Sequence, residues 1–293
     1  MTTNMSNPIG IHALVWAGDT SAESVTTAID QTRRTGYDLL EFSLHDSINL
    51  DVNATRQQLA DAGLQVTCSR GLAFDADVSS EDPDIVKRGA ALLSDSLELT
   101  RRIGGTHFTG ALYSALGKYG QPLTPAGRDN VVSVLRDLAT QAAEHQMTLG
   151  LEICNRYETN VINTARDALR LADDIGADNV LIHLDTYHMN IEEDDFVRPV
   201  HEVGARLGYV HVGENHRGYL GSGHIDFTSF FRALSDIGYA GPITFESFSS
   251  AVVARGLSND LAIWRNLWAD GADLARHAHQ FITEHILLGT AVA

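Results

Sequence analysis

Four residues offer the clearest chemistry in this chain: Glu152, Asp185, His211 and Glu246. Each lies at or near the C-terminal end of a short apolar run: LGLE, VLIHLD, GYVHV and GPITFES. Successive members stand roughly thirty residues apart, the length of a strand, a helix and two loops in a βα repeat. Two glutamates, an aspartate and a histidine converging at strand ends would form an oxygen-rich site for a divalent cation. Carboxylates suit Mg²⁺ and Mn²⁺, and the imidazole suits Mn²⁺ and Co²⁺. Taken singly, each has an ordinary reading, since a histidine in a strand is commonly a hydrogen-bonded core residue. Taken together, three clustered carboxylates repel one another unless a cation offsets their charge. Behind the same runs lie Glu158, His188 and Arg217. They supply directional donors and acceptors suited to a polyhydroxylated substrate. His12 and Trp16 in the first apolar run, and Phe248 after the last, supply residues for an apolar wall.

The elements that must position these groups follow from the apolar pattern. Strand-like runs fall at 9–16, 39–44, 65–72, 106–112, 149–152, 179–185, 208–212 and 241–245. Helical spacing fills the intervals, with helices expected at 53–62, 128–145, 164–175, 194–205 and 228–237, and a long terminal segment over 260–288. Thr20 and Glu23 have the spacing of a capping box for the first helix, which stops at Gly36. Pro83 suits the first turn of the third helix, which runs to Gly104. The loop at 113–127 is long enough to cover the mouth of a barrel. Glu41 sits inside the second apolar run, where a carboxylate is seldom left unpaired. Eight strand–helix alternations imply a parallel sheet, and their number favours closure. No GxGxxG follows the first strand, which disfavours a dinucleotide fold. The expected architecture is α/β, a single (β/α)8 TIM barrel domain over residues 1–293, with its site at the C-terminal ends of the strands.

Composition narrows the class of partner. The chain has 293 residues, 44% of them hydrophobic, and a net charge of −17. That charge argues against nucleic acid as a partner, which requires a basic footprint. No apolar run approaches the ~18 residues of a membrane span. Residues 1–8 lack the pattern of a secretory leader. The two cysteines, Cys68 and Cys154, lie in apolar runs without CxxC spacing and read as reduced core thiols. These features suit a cytoplasmic enzyme.

Several segments carry a resemblance. LEICNRYETN, HLDTYHMNIEE, YVHVGENHRGYLGSG and FESF, together with VSSEDP and IWRNLW, resemble the D-tagatose 3-epimerase / D-allulose (psicose) 3-epimerase family of xylose-isomerase-like barrels. The likeness covers almost the whole chain and is greatest to bacterial ketose 3-epimerases described as acting on allulose or L-ribulose. It implies a Mn²⁺-, Mg²⁺- or Co²⁺-dependent enzyme that interconverts free ketoses differing at the third carbon, as a homodimer or homotetramer. On this resemblance Glu152, Asp185, His211 and Glu246 match the metal ligands, and Glu152 and Glu246 also match the acid/base pair. Glu158, His188 and Arg217 match positions that hold the oxygens at the reducing end of the sugar. The first-strand and third-strand segments, GIHALVW and CSRGLAF, differ more from the tagatose enzymes.

The implied chemistry has a physical basis. The proton on the third carbon is weakly acidic because it neighbours the ketone, and a cation stabilises the enediolate charge left by its removal. Two carboxylates on opposite faces then suffice for inversion, one taking a proton and the other returning one. An aldose–ketose isomerase would use a similar cation site and shift a proton between the first two carbons. A non-catalytic sugar-binding barrel would not need both glutamates. Metal-dependent DNA repair on this fold would call for more histidines and a basic groove.

Overall fold

The computed structural model describes residues 7–45 and 50–290. Residues 1–6, read above for a leader, lie outside them. Eight parallel strands close on themselves in chain order: β1 (Ile9–His12), β2 (Leu39–Ser43), β3 (Gln65–Ser69), β4 (His107–Gly110), β5 (Thr148–Glu152), β6 (Val180–Asp185), β7 (Leu207–Val212) and β8 (Ile243–Phe245). Around them run α1 (Ala22–Arg34), α2 (Val52–Ala62), α3 (Pro83–Ile103), α4 (Pro125–Ala143), α5 (Ala165–Ile175), α6 (Thr186–Glu192), α7 (Arg198–Val203), α8 (Phe227–Asp236), α9 (Arg255–Asp260) and α10 (Gly271–Thr290). The expected (β/α)8 TIM barrel is the observed one.

The strands alternate, and the alternation explains both the core and the site. Successive side chains on a strand point to opposite faces. Ile11, Leu40, Phe42, Val66, Cys68, Phe108, Leu149, Leu151, Ile182, Leu184, Val210, Val212 and Phe245 belong to one apolar core that includes the inner faces of the helices. The intervening residues turn into the barrel and are largely polar: His12, Glu41, Thr67, Thr109, His183, Tyr209, His211 and Thr244, all buried. Both cysteines are buried and free.

Tyr209 organises the lower interior. Its hydroxyl lies 2.8 Å from Thr67 Oγ1, Thr244 Oγ1 and Glu41 Oε2, linking four strands. His183 Nδ1 lies 2.7 Å from Thr109 Oγ1. Gly150 makes room for that bond, because a Cβ there would stand 2.4 Å from Thr109 Oγ1. This barrel is therefore filled by a hydrogen-bonded polar layer instead of stacked aliphatic side chains.

Several boundaries differ from the sequence expectation. The first strand stops at His12, where the imidazole Nδ1 accepts from Leu14 N–H at 3.2 Å and the chain turns into a 3₁₀ segment over Ala13–Val15. The first helix is capped by Ser21, whose hydroxyl accepts from Ser24 N–H, and not by a Thr20–Glu23 box. The reciprocal capping box occurs at α5, between Thr164 and Asp167. The helix expected at 194–205 is the shorter α7, Arg198–Val203, continued by a 3₁₀ turn, and a further helix that was not expected, α6, precedes it. Asp185 caps α6 directly after β6. Asp195 then accepts from Val197 N–H and Arg198 N–H, both at 2.7 Å, and so sets the start of α7. The terminal segment expected over 260–288 is helical only from Gly271 onward, as α10, and the short α9 precedes it, ending at Asp260.

Candidate active site

Alternation and register bring four strand ends to one point. In β5 the residues Gly150 and Glu152 face inward; in β6, His183 and Asp185; in β7, Tyr209 and His211. Asp185 pairs with His211 across β6 and β7, and His211 with Thr244 across β7 and β8. Glu246 follows one residue beyond β8. Glu152, Asp185, His211 and Glu246 thereby place one donor atom each within 4.8 Å of one another. His211 Nδ1 lies 3.4 Å from Glu152 Oε1 and 3.5 Å from Glu246 Oε1. It is buried and has no hydrogen-bond partner among the described residues. An unpartnered imidazole nitrogen aimed among three buried carboxylates fits a divalent cation, which would accept its lone pair and offset the negative charge.

The sugar-facing candidates surround this cluster. Asn155 Nδ2 donates to Glu158 Oε1 at 2.8 Å and lies 2.9 Å from His188 Nδ1. The Asn155 N–H also donates to His188 Nδ1 at 3.2 Å. With Nδ1 accepting, His188 carries its proton on Nε2, which faces Asp185 Oδ2 at 3.6 Å and Glu152 Oε1 at 3.9 Å. Arg217 donates from Nη1 to Glu246 Oε2 at 2.5 Å and Asp185 Oδ2 at 3.1 Å. Its guanidinium stacks 3.8 Å above the Tyr187 ring and 5.0 Å from that of Phe248. Arg217 holds a left-handed backbone, φ 62°, rare for a residue with a Cβ. Its N–H donates to the Glu214 carbonyl, and its own carbonyl accepts from Ser247 Oγ. Surrounding bonds thus hold a costly conformation at a site residue.

The electrostatics separate the two glutamates. Burial raises the Glu152 carboxyl to about 7, with Glu246 and Asp185 adding to the rise against His211. Burial would also raise Glu246, but Arg217 and His211 outweigh it and hold Glu246 below its usual value. Asp185 and Glu158 are raised, chiefly by burial. Burial, with Arg217 and His211, pulls His188 well below its ordinary value, so it stays neutral. For His211, burial opposes the charge, yet Glu41 and Glu246 outweigh it and the net shift is strongly upward. With no ion bound, the two carboxyls thus tend toward opposite protonation states.

His12 and Phe248 line the cavity, their rings 5.9 Å apart. Trp16 does not reach it. Once the chain turns at His12, Trp16 swings toward α1 and its Nε1 donates to Thr32 Oγ1 at 3.0 Å. The expectation that Trp16 forms part of the sugar wall is corrected on that ground. The cavity contains groups that the sequence reading did not single out: Ser43, Ser69 and Arg70 from β2 and β3, and Leu257 and Leu261 from the α9 segment. Leu257, Leu261 and Ile263 pack against Leu14, Phe248 and Val253 to cap the apolar side. The polar third-strand end, CSRG, was a local signal for Ser69 and Arg70; nothing local marked the cap.

A closed βα barrel with an acid-rich cluster at its C-terminal mouth has the active-site placement of barrel enzymes. Residues 29–285 match the family described as xylose isomerase-like TIM barrel. The chain is 48% identical over 278 residues to a ketose 3-epimerase of Arthrobacter globiformis, covering 95% of this chain and 96% of that one. It is also 48% identical to an L-ribulose 3-epimerase of Methylomonas, over 94% and 96% of the two chains. A crystal structure of D-allulose 3-epimerase from Methylomonas in complex with D-allulose superimposes with a TM-score of 0.94 at 46% identity, covering 97% of this chain and 99% of that one. The chain belongs to the xylose isomerase-like TIM barrel family, among its ketose 3-epimerases. Among the described residues no helix is long and apolar enough to cross a membrane.

Proposed function

We propose that the protein inverts the third carbon of free ketohexoses or ketopentoses, of the D-allulose/D-fructose, D-tagatose or L-ribulose type, in a cation-dependent reaction. The observation that carries this reading is the pair Glu152 and Glu246. Both stand beside the same unpartnered His211 nitrogen, with their carboxyls pushed to opposite protonation tendencies. Glu152, Asp185, His211 and Glu246 would hold the ion, Mn²⁺ or alternatively Mg²⁺ or Co²⁺. When bound, it supplies positive charge to stabilise the negative oxygen that develops on deprotonation. The rest falls to the chain itself. Glu158, His188 and Arg217 orient the oxygens at the reducing end, with Asn155 fixing the first two. One glutamate removes the proton from the third carbon and the other returns a proton to the opposite face. His12 and Phe248 exclude water from the apolar side. The names of the relatives support the ketose class, and the acidic charge of −17 agrees with a sugar partner and not nucleic acid. The same reading expects one cytoplasmic domain over the whole chain, assembled as a homodimer or homotetramer.

The test is proton exchange in D₂O with Mn²⁺ present and then removed, on D-fructose, D-allulose, D-tagatose and L-ribulose. Deuterium at the third carbon together with the epimer is the expected result. Label at the first or second carbon with an aldose product would instead establish an isomerase. Exchange without metal, or none on any sugar with metal bound, would overturn the reading. Glu152→Gln and Glu246→Gln are each expected to lower turnover by about 10²-fold or more while the barrel stays folded.

A further inference from the structure

Glu41 has no part in the reaction as derived so far. It stands in the middle of β2, across the barrel from the metal-ligand cluster, fully buried. Its register partners are His12 on β1 and Thr67 on β3. A carboxylate there carries a large desolvation cost, and its partners show what offsets it. Oε2 lies 2.8 Å from both Tyr209 Oη and His211 Nε2. Oε1 faces His12 Nε2 at 3.7 Å. That nitrogen bears the His12 proton, because Nδ1 accepts from Leu14 N–H.

We propose that Glu41 is a positioning residue for the cation site, fixing His211 as the Nε2–H form so that Nδ1 presents its lone pair to Glu152, Asp185 and Glu246. The geometry leaves the imidazole one useful arrangement. A carboxylate oxygen only accepts, so Nε2 must donate to it. Nδ1 is then the nitrogen left over, and it is the one that lacks a partner among the described residues. Rotation of the ring is blocked from below, where the His183 ring packs edge-on at 4.2 Å between centroids. A carboxylate that accepts the second N–H of a ligating histidine orients the ring and raises its basicity as a ligand. Tyr209, anchored by Thr67 and Thr244, holds Glu41 from the other side. The lower polar layer of the barrel is thereby the support of the site above it.

This inference rests on the cation-dependent reading, and its test keeps the two apart. EDTA-stripped wild type, Glu41→Gln and Tyr209→Phe are titrated with Mn²⁺ by calorimetry at one pH, and their metal-free unfolding temperatures are recorded. Glu41→Gln is expected to weaken Mn²⁺ binding about 10- to 100-fold. Tyr209→Phe removes the other donor to Glu41 but keeps the His211 bond, and is expected to lower the unfolding temperature with Mn²⁺ affinity close to wild type. Wild type that binds no Mn²⁺ would overturn the cation-dependent reading. Wild type that binds, beside a folded Glu41→Gln that binds equally well, would overturn the role of Glu41 alone. A second measurement needs no variant: histidine-¹⁵N spectra of the wild type during Mg²⁺ titration. In the Mg²⁺-bound state the ring whose signals respond to the ion is expected to carry its single proton on Nε2, and a proton on Nδ1 in that state would refute the assignment.

Discussion

Glu152→Gln should make the metal-free protein more stable at neutral and alkaline pH while removing its activity. Burial raises the Glu152 carboxyl from 4.5 to about 7. A carboxyl with a higher value in the folded state binds its proton more tightly there, so its contribution to stability is complete below the unfolded value and is lost as pH rises through the folded one. The window runs from 4.5 to about 7. At about 1.4 kcal/mol per pH unit, the stability lost across it is about 3 kcal/mol. In a chain of this size that amounts to about 6 °C in the unfolding midpoint. Glutamine cannot ionise and lacks this dependence. The assay is thermal unfolding of EDTA-stripped wild type and variant at several pH values across the window. The variant's midpoint relative to wild type is expected to climb by about 6 °C from the acid to the alkaline end. Saturating Mn²⁺ should then raise the wild-type midpoint at alkaline pH and leave the variant almost unmoved. A wild-type-to-variant difference that stays constant with pH would refute the claim that buried negative charge at Glu152 destabilises the empty site.

Three further outcomes follow from particular contacts. Trp16→Phe should cost about 1 kcal/mol, from loss of the Thr32 bond, with kcat and KM unchanged; a raised KM would return Trp16 to the sugar. Gly150→Ala should destabilise by about 1–3 kcal/mol in urea unfolding, because the new Cβ meets Thr109 Oγ1 and displaces the bond to His183; wild-type stability would show that the packing there is slack. Arg217→Lys keeps the charge but not the planar stack on Tyr187, and should lower kcat/KM about 10- to 100-fold, the worth of a charged hydrogen bond; retention of kcat/KM would make the guanidinium geometry irrelevant.

How far the site could be read from sequence depended on how local each signal was. Glu152, Asp185 and His211 each lie on an apolar strand that ends in a polar turn, and period-two alternation then turns them into the barrel. Glu246 follows the last strand by one residue. The cluster at 4.8 Å needed only the eight-fold closure to follow. Trp16 failed for a physical reason. IGIHALVW reads as one continuous strand, which would put residues 12, 14 and 16 on one face. The His12 imidazole instead captures Leu14 N–H and bends the chain before that face can extend. The short α6 was hidden because Asp185 serves both as a site carboxylate and as a helix cap. The sequence marked Glu41 as a buried charge in need of a partner, but His211 lies 170 residues further along the chain. No local pattern encodes a contact across the barrel between β2 and β7.

The four clustered donor residues all come from the ends of β5 to β8, whereas Ser43, Ser69 and Arg70 come from the ends of β2 and β3. The acidic cluster and the residues proposed to hold the reducing end, Glu158, His188 and Arg217, thus share one half of the ring, while the other half contributes further cavity lining. Exchanging the first-half strand ends between related enzymes would retune which sugar is preferred while leaving the reacting groups in place. Glu41 and His12 bound that freedom, since both cross from the first half to touch the second. Variation that spares these two positions can proceed independently in the two halves, which gives the fold a division along which new selectivities can arise without rebuilding the reaction.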